Sequence, residues 1–156
     1  RWAQKNIGAE YVSFLGGGAY HRFIPSVVQS IAGRSEFYTA YTPYQPEVSQ
    51  GTLQVTYEFQ SMIAELTGLE VANASVYDAA NAVTEAALMA VRIMKRKRIW
   101  AANTAHPDAL AVLNTYVAAN NSMQLTIVDP ATLPNKLPDD LACLILQYPN
   151  YYGALE

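Results

Sequence analysis

A chain of 156 residues, of which 51% are hydrophobic and 15% are charged, is typical of one well-packed globular domain. Its formal net charge of -3 argues against a dedicated nucleic-acid-binding protein, because neutralising phosphate groups requires a basic face. The single cysteine, Cys143, excludes an internal disulfide, and no apolar run approaches the roughly eighteen residues that a membrane-spanning helix needs. These features lead us to expect a cytoplasmic protein.

The sequence begins at Arg1 rather than at methionine, and it ends at Glu156 soon after a segment typical of a buried strand. Its first residues lack the pattern of a signal peptide. We therefore expect a piece of a longer protein with two parts. The first is an amino-terminal segment, residues 1–50, and the second is an α/β part, residues 51–156, truncated at its carboxyl end.

Three consecutive glycines, residues 16–18, mark the first segment. Their spacing matches neither a dinucleotide-binding motif nor a P-loop, so a turn or a close packing site is a better interpretation than a phosphate cradle. Pro25 opens a short predicted helix over residues 24–34. His21 and His106 lie far apart in the sequence and in no cluster with ligand spacing, which argues against a metal site.

Residues 38–51, which we call the tyrosine loop, have the sequence YTAYTPYQPEVSQG. Pro43 and Pro46 restrict their own backbone and that of the preceding residues, so the segment around them is not the interior of a helix. Tyrosine rings on an ordered loop bury area while their hydroxyls reach polar partners, which suits a ligand cleft or a subunit interface. From composition alone, a loop that only covers a core is an equally good interpretation.

Two amphipathic helices are predicted after the tyrosine loop. The first spans residues 50–67 and ends at Gly68, and the second begins at Asp78. The many alanines on one face of the second helix predict that it packs closely against a sheet. A short run between the helices, residues 69–76, has a composition compatible with a strand. The predicted apolar face of the first helix comprises Val55, Phe59, Met62, Ile63 and Leu66, and that of the second comprises Ala79, Val83, Ala86, Ala87, Ala90 and Met94.

Strands and a helix alternate in the remaining chain. Strands are predicted over residues 98–103, 123–129 and 141–148, and a helix that starts with a proline over residues 107–117. The last strand is apolar at nearly every residue, which predicts burial on both faces. The basic run at residues 95–98 is interpreted as a solvated helix end. This order predicts an α/β fold with a mainly parallel sheet and flanking helices.

Ligands of open α/β sheets bind at the carboxyl ends of the strands, so we expect the candidate residues in the loops there. In the turn before the second predicted helix, Asp78, Asn81 and free N–H groups form a potential site for an anionic group. A carboxylate that only caps the helix is the more ordinary interpretation of Asp78. Glu47 and Glu85 are the acids best placed to matter. The candidate loops are residues 73–81, 103–107 and 147–153, together with Asp129.

Long runs of the sequence resemble one known family. They include FLGGGAYHRFIPSVV, YTAYTPYQPE with SQG, ELTGLEVANASVYD, HPD and QYPNYYG, and they extend over essentially the whole chain. The chain resembles the amino-terminal part of glycine decarboxylase, the P-protein of the glycine cleavage system. The runs FLGGGAY and ANASVYD are similar to subunit 1 of the two-subunit form.

The resemblance implies part of the large domain of a fold-type I, pyridoxal-phosphate-dependent transferase of the aspartate aminotransferase fold. In that family glycine is decarboxylated on the cofactor, and the aminomethyl group passes to the lipoyl group of the H-protein. The cofactor lysine belongs to the homologous subunit 2, so this chain alone is expected to be inactive and to bind no aldehyde covalently. The lysines that do not resemble the family's Schiff-base lysine are Lys5, Lys95, Lys97 and Lys136.

The resemblance also implies that the tyrosine loop lies near the subunit interface and faces the partner's active site. Tyr41 and Glu47 are the expected catalytic residues. The other loop residues expected to face the interface or the substrate are Thr42, Pro43, Tyr44, Gln45, Pro46, Ser49 and Gln50.

The turn at Asp78 and Asn81 is the expected cofactor-facing element. Here the chain departs from its family, which commonly has a glycine and a small hydroxyl residue where Ala79 and Ala80 stand. Their Cβ atoms would crowd the close approach of a phosphate, which argues against an independent cofactor site. Two alternatives stay open: a structural or regulatory interaction module of the same fold, and a small-ligand protein that uses the turn at residues 73–81.

Overall fold

The structure is a computed structural model that describes residues 2–5, 12, 22–120 and 122–155. The glycine triplet at residues 16–18 and His21 lie outside the described residues. The chain divides into two compact units, Arg1–Glu58 and Phe59–Glu156. The predicted division at residue 50 stays a prediction.

The first unit contains short helices. A 3-10 turn spans Ala3–Lys5, helix α1 spans Ser26–Ala32 and helix α2 spans Ser35–Tyr38. Helix α1 is the helix predicted over residues 24–34, and it begins directly after Pro25 because the fixed φ of proline suits a helix start. No pattern in the sequence predicted α2, whose last residue, Tyr38, is the first of the tyrosine loop.

Helix α3 spans Gln50–Thr67, with the predicted bounds. It ends at Gly68, whose φ of 72° is a left-handed conformation that glycine adopts without strain. The apolar face is exposed rather than packed, except at half-buried Ile63. The more covered face carries polar side chains, since the Gln60 amide donates to the Ala72 carbonyl over 2.8 Å. The half-buried residues of α3 are Thr52, Thr56, Gln60, Ile63 and Ala64.

Residues 69–76 do not form the strand that their composition suggested. A strand needs a neighbouring backbone, and no strand of the described sheet pairs with this segment. Leu69 and Val71 are exposed. The segment is instead an irregular connection from α3 to the next helix.

Helix α4 spans Ala79–Met94 and ends at Lys95, which adopts a left-handed φ of 54°. Its buried stripe is Ala80, Thr84 and Ala87. The predicted stripe was therefore wrong by about one residue. The reason is that alanines occur on several faces of this helix and give the periodicity little contrast. Of the predicted face, Ala79, Ala86 and Met94 are exposed, Val83 and Ala90 are half-buried and only Ala87 is buried.

The second unit contains a three-stranded parallel sheet, which confirms the α/β class. Strand β1 spans Arg98–Ala102, strand β2 spans Gln124–Val128 and strand β3 spans Leu141–Ile145, in the order β2-β1-β3. Helix α5, Pro107–Ala118, connects β1 to β2, and a 3-10 turn, Pro130–Thr132, follows β2.

The middle strand, not the last one, is the most buried. In β1, Ile99, Ala101 and Ala102 are fully buried. Strand β3 is only half-buried beyond Leu141, so its predicted burial on both faces was wrong for this chain. Its apolar composition does not fix its position, and in the described sheet β3 is an edge strand with a neighbour on one side.

The core lies between the sheet and helices α4 and α5. Ala87, Ile99, Leu113 and Val117 belong to one cluster of buried apolar side chains. The Thr84 hydroxyl is also buried and has no hydrogen-bond partner among the described residues.

The basic run after α4 is largely solvated, as predicted, since Lys95, Arg96 and Lys97 are exposed and only Arg98 is half-buried. The Arg96 Nη1 donates to the Leu141 carbonyl over 3.1 Å, and Arg98 pairs with Asp140 at 3.1 Å. These contacts join the amino ends of β1 and β3. Within residues 2–5, 12, 22–120 and 122–155, no helix is long and apolar enough to cross a membrane.

Replacing Leu113 by alanine tests the assigned core. Leu113 is fully buried, so we expect Leu113→Ala to lower the free energy of unfolding by about 2–5 kcal/mol through lost apolar burial and a residual cavity. The measurement is urea denaturation of the purified chain. The control Leu69→Ala removes the same atoms from an exposed position and should change the free energy by less than about 0.5 kcal/mol. Equal effects of the two variants would contradict the core assignment.

Candidate functional site

The tyrosine loop is held by hydrogen bonds within its own backbone. The Tyr44 N–H donates to the Thr42 carbonyl over 2.8 Å, and the Val48 and Ser49 N–H groups both donate to the Gln45 carbonyl over 3.1 Å. The Ser49 carbonyl then accepts from Leu53 N–H and starts α3. The prolines and these bonds give the loop a defined course into α3.

Most side chains of the tyrosine loop are exposed. Tyr41 is 82% exposed and Tyr44 is 79% exposed, and their ring centroids lie 6.4 Å apart. Glu47 is exposed and forms no ion pair with any described residue. The loop therefore presents phenol rings, hydroxyls and a carboxylate rather than covering a core.

Exposure is similar in the other predicted loop residues. Only two are half-buried, namely Pro43 and Ser49, and the exposed ones are Thr42, Gln45, Pro46 and Gln50. This arrangement agrees with presentation to a partner, but the catalytic and substrate-facing assignments stay predictions.

In the second unit, the carboxyl edge of the sheet is where the amino ends of α4 and α5 and the loop after β3 meet in one cleft. The cleft has a volume of about 530 Å³, and its wall includes Asp78 and Ala80 from the start of α4, His106 and Asp108 from the start of α5, and Gln147 after β3. Smaller apolar cavities of about 430 and 270 Å³ also reach Gln147. This edge was the predicted location of a ligand site.

Asp78 caps α4, which was the more ordinary of the two interpretations. Its Oδ1 accepts from the Asn81 backbone N–H over 2.7 Å and from the Asn81 side-chain amide over 2.9 Å. These hydrogen bonds favour the ionised carboxylate and lower the pKa of Asp78. The structure thus brings Asp78 and Asn81 together as a cap, and their role toward a cofactor stays a prediction.

His106 is a cap as well, on α5. Its Nδ1 accepts from the Asp108 backbone N–H over 3.2 Å. Its own backbone N–H donates to the Gln147 Oε1 over 2.8 Å. The ring packs edge-on against Tyr151, with centroids 5.0 Å apart. His106 therefore links the start of α5 to the loop after β3.

Asn150 organises the loop after β3. It is 6% exposed, and its Oδ1 accepts from the N–H groups of Tyr152 and Ala154 over 3.0 and 2.9 Å. The Tyr151 N–H donates to the Thr104 carbonyl over 2.8 Å, which ties this loop to the loop after β1. The result is a fixed position for Tyr151 beside His106.

The sequence predicted the loops of this edge but not the residues that organise it, which are Gln147, Asn150 and His106. The signal was faint, because a glutamine after a buried strand and an asparagine in an N-x-x-G turn are common in loops without function. Glu85 is exposed on α4 and does not line the cleft. No group of three or more metal-ligating side chains occurs in the described part of the chain.

Removal of the Asp78 cap should destabilise the chain in a pH-dependent way. The pKa of Asp78 is lowered in the folded state, so its stabilising effect is present above the unfolded pKa and is lost as the pH falls through the folded pKa. We expect Asp78→Ala to have a lower Tm than the parent at pH 7, and the difference should shrink below about pH 4. Thermal denaturation followed by circular dichroism measures this, with exposed Asp139→Ala as the matched control. A Tm difference independent of pH would contradict the capping role.

Removal of the Asn150 amide should loosen the loop after β3. Asn150→Ala leaves two N–H groups without their acceptor, which costs about 1–3 kcal/mol. We expect amide hydrogen exchange at Tyr152 and Ala154 to accelerate at least about fivefold. Asn150→Asp keeps an acceptor oxygen and should preserve most of the protection. Unchanged exchange in Asn150→Ala would show that the side chain does not hold the loop.

Comparison with known proteins identifies relatives along the whole chain. The family model described as "Glycine cleavage system P-protein" matches residues 1–156. A protein of Listeria innocua named "Probable glycine dehydrogenase (decarboxylating) subunit 1" is 48% identical over 162 residues, which cover 99% of this chain and 36% of the relative. A protein of the same name from Chlorobium chlorochromatii is 50% identical over 161 residues, with the same coverage.

A solved structure agrees with these relatives. The crystal structure of glycine decarboxylase (P-protein) of the glycine cleavage system, in inhibitor-bound form, superposes with a TM-score of 0.86 at 44% identity and covers 99% of this chain and 36% of that one. The chain thus spans about a third of the length of the relatives it matches, 36% in each case. By the match over its whole sequence, this chain belongs to the glycine cleavage system P-protein family.

Proposed function

We propose that this chain is part of a glycine dehydrogenase (decarboxylating) and corresponds to its subunit 1. In this proposal the assembled enzyme decarboxylates glycine on pyridoxal phosphate and passes the aminomethyl group to the lipoyl group of the H-protein. The support is the agreement between the names of the relatives and the structural match to a P-protein. The homologous subunit 2 is the proposed partner.

The cofactor is proposed to be carried by the partner subunit, because the cleft of this chain does not suit covalent pyridoxal phosphate. No lysine lines the cleft among the described residues, so these residues supply no amine for a Schiff base there. At the start of α4, the Asp78 carboxylate already accepts the Asn81 N–H that a phosphate would use. No catalytic step is therefore assigned to a cofactor in this cleft.

The contribution proposed for this chain is its tyrosine loop. The observation that carries the proposal is the exposure of Tyr41 and Tyr44 on a loop with a defined backbone course. Aromatic side chains of this kind are enriched at the centres of protein interfaces. Tyr41 would place a hydroxyl, and Glu47 a carboxylate, at a site completed by the partner, where both groups can donate or accept a proton. The neighbouring loop residues would form the surrounding contacts with the partner or the substrate.

Two single-group substitutions test the role of the loop. Tyr41→Phe removes only a hydroxyl and Glu47→Gln removes only a charge, and we expect each to lower glycine decarboxylation by the assembled enzyme about 100-fold or more, the usual worth of a positioned acid or base. The complex should stay intact in size-exclusion chromatography. The matched controls Tyr57→Phe and Glu65→Gln change exposed residues of α3 outside the loop and should keep most of the activity.

The same experiment separates the second candidate function. A variant that loses the complex together with its activity would favour a structural interaction module, for which the exposed apolar face of α3 also argues. Variants with full activity would contradict the proposed role of the loop. As a further control, the purified chain with pyridoxal phosphate should show no Schiff-base absorbance.

A further inference from the structure

The cleft between the amino ends of α4 and α5 has a chemical character that the proposed function does not use. Its volume of about 530 Å³ falls in the range of small-molecule sites. Small apolar side chains such as Ala80 and Ala109 form part of the wall. The polar groups in the wall are of two kinds, N–H donors and carboxylates.

Gln147 supplies the first donor, and its orientation is fixed. The His106 backbone N–H only donates, so the Gln147 atom that it meets at 2.8 Å must be the carbonyl oxygen Oε1. The amide Nε2 then points away from that contact with two hydrogens. Among the described residues it donates to none, although the side chain is half-buried.

His106 supplies the second donor by the same logic. Its Nδ1 accepts from the Asp108 backbone N–H, so Nδ1 carries no proton in this arrangement. The proton of the neutral imidazole is then on Nε2. One nitrogen of the ring is used by the fold, and the other is left to donate to a ligand.

Two carboxylates lie in the wall of the same cleft. Asp78 is ionised at neutral pH because the N–H donors of its cap favour the charged form. The Asp108 side chain is 83% exposed, and its Oδ2 lies 3.9 Å from the His106 Nδ1. These two negative charges would repel a ligand that carries only a negative charge. A ligand that carries only a positive charge would leave the two N–H donors without an acceptor.

A ligand that satisfies both sets of groups carries a negative and a positive charge close together. We propose that this cleft binds a small zwitterionic amino acid, whose carboxylate accepts hydrogen bonds from Gln147 Nε2 and His106 Nε2 and whose ammonium group faces Asp108 and Asp78. The groups that form this site all belong to the present chain. The choice of glycine as the amino acid rests on the proposed function.

Isothermal titration of the complete, assembled protein with glycine tests the inference. We expect one binding event per copy of this chain, in addition to any at the partner subunit. Acetate and methylammonium each reproduce one half of the ligand, and each should bind at this site at least about tenfold more weakly, which is the worth of one lost polar interaction. Acetate binding as tightly as glycine would overturn the zwitterion assignment.

Isosteric variants identify the groups involved. Gln147→Glu keeps an oxygen to accept from the His106 N–H but replaces the donor by a carboxylate oxygen, so glycine should bind at least about tenfold more weakly at this site. Asp108→Asn should weaken the same event, whereas the control Asp139→Asn removes an equal charge from an exposed position outside the cleft and should not. Unchanged glycine binding in Gln147→Glu would overturn the inference.

Decarboxylation by the parent protein, measured in parallel, separates this inference from the proposed function. A protein that decarboxylates glycine but has no second binding event overturns the inference alone. A protein that binds glycine in the cleft but does not decarboxylate it supports the inference and contradicts the proposed function.

Discussion

Two hydrogen bonds between neighbouring loops define the carboxyl edge of the sheet. The His106 N–H donates to Gln147 and the Tyr151 N–H donates to Thr104, so the loop after β3 is tied to the loop after β1 at two points. Parallel pairing of β1 with β3 brings the loops side by side, but strand pairing alone does not fix their conformation. Because these bonds hold both loops, the side chains that line the cleft keep constant distances from one another.

Small side chains on α4 allow this helix to form the second wall of the cleft. Helix α4 contacts α5 and the sheet through Ala80, Thr84 and Ala87, so its backbone approaches more closely than larger residues would allow. The close approach brings the capped start of α4 next to that of α5. Thr84 is small enough for this packing, but its burial is unfavourable. Its buried hydroxyl forms no hydrogen bond within the described part of the chain, which costs free energy in the folded state.

Local signals in the sequence account for much of the fold. The bounds of α3 and the capped start of α4 were predicted because Gly68 and Asp78 act through their own backbone and first turn. Errors arose where the outcome depends on neighbours distant in sequence. Residues 69–76 have the composition of a strand but no strand beside them, and β3 is apolar throughout yet is an edge strand in the described sheet.

The candidate site shows the same contrast between local contacts, which the sequence predicts, and contacts distant in sequence, which it does not. The cap formed by Asp78 and Asn81 uses contacts within four residues and was recognisable in the sequence. The bond from His106 to Gln147 joins residues 41 positions apart, so no local pattern announces it. The tyrosine loop was noticed from its composition, and its side chains are exposed, while its role in catalysis stays a prediction.

The exposed face of α3 has a consequence for the life of the polypeptide in a cell. Phe59, Met62 and Leu66 place apolar rings and chains in contact with water along one side of a regular helix. Molecular chaperones and quality-control proteases recognise such surfaces as signs of incomplete folding. Until another protein surface covers this face, from a longer polypeptide or from a partner, the helix is therefore open to capture and degradation.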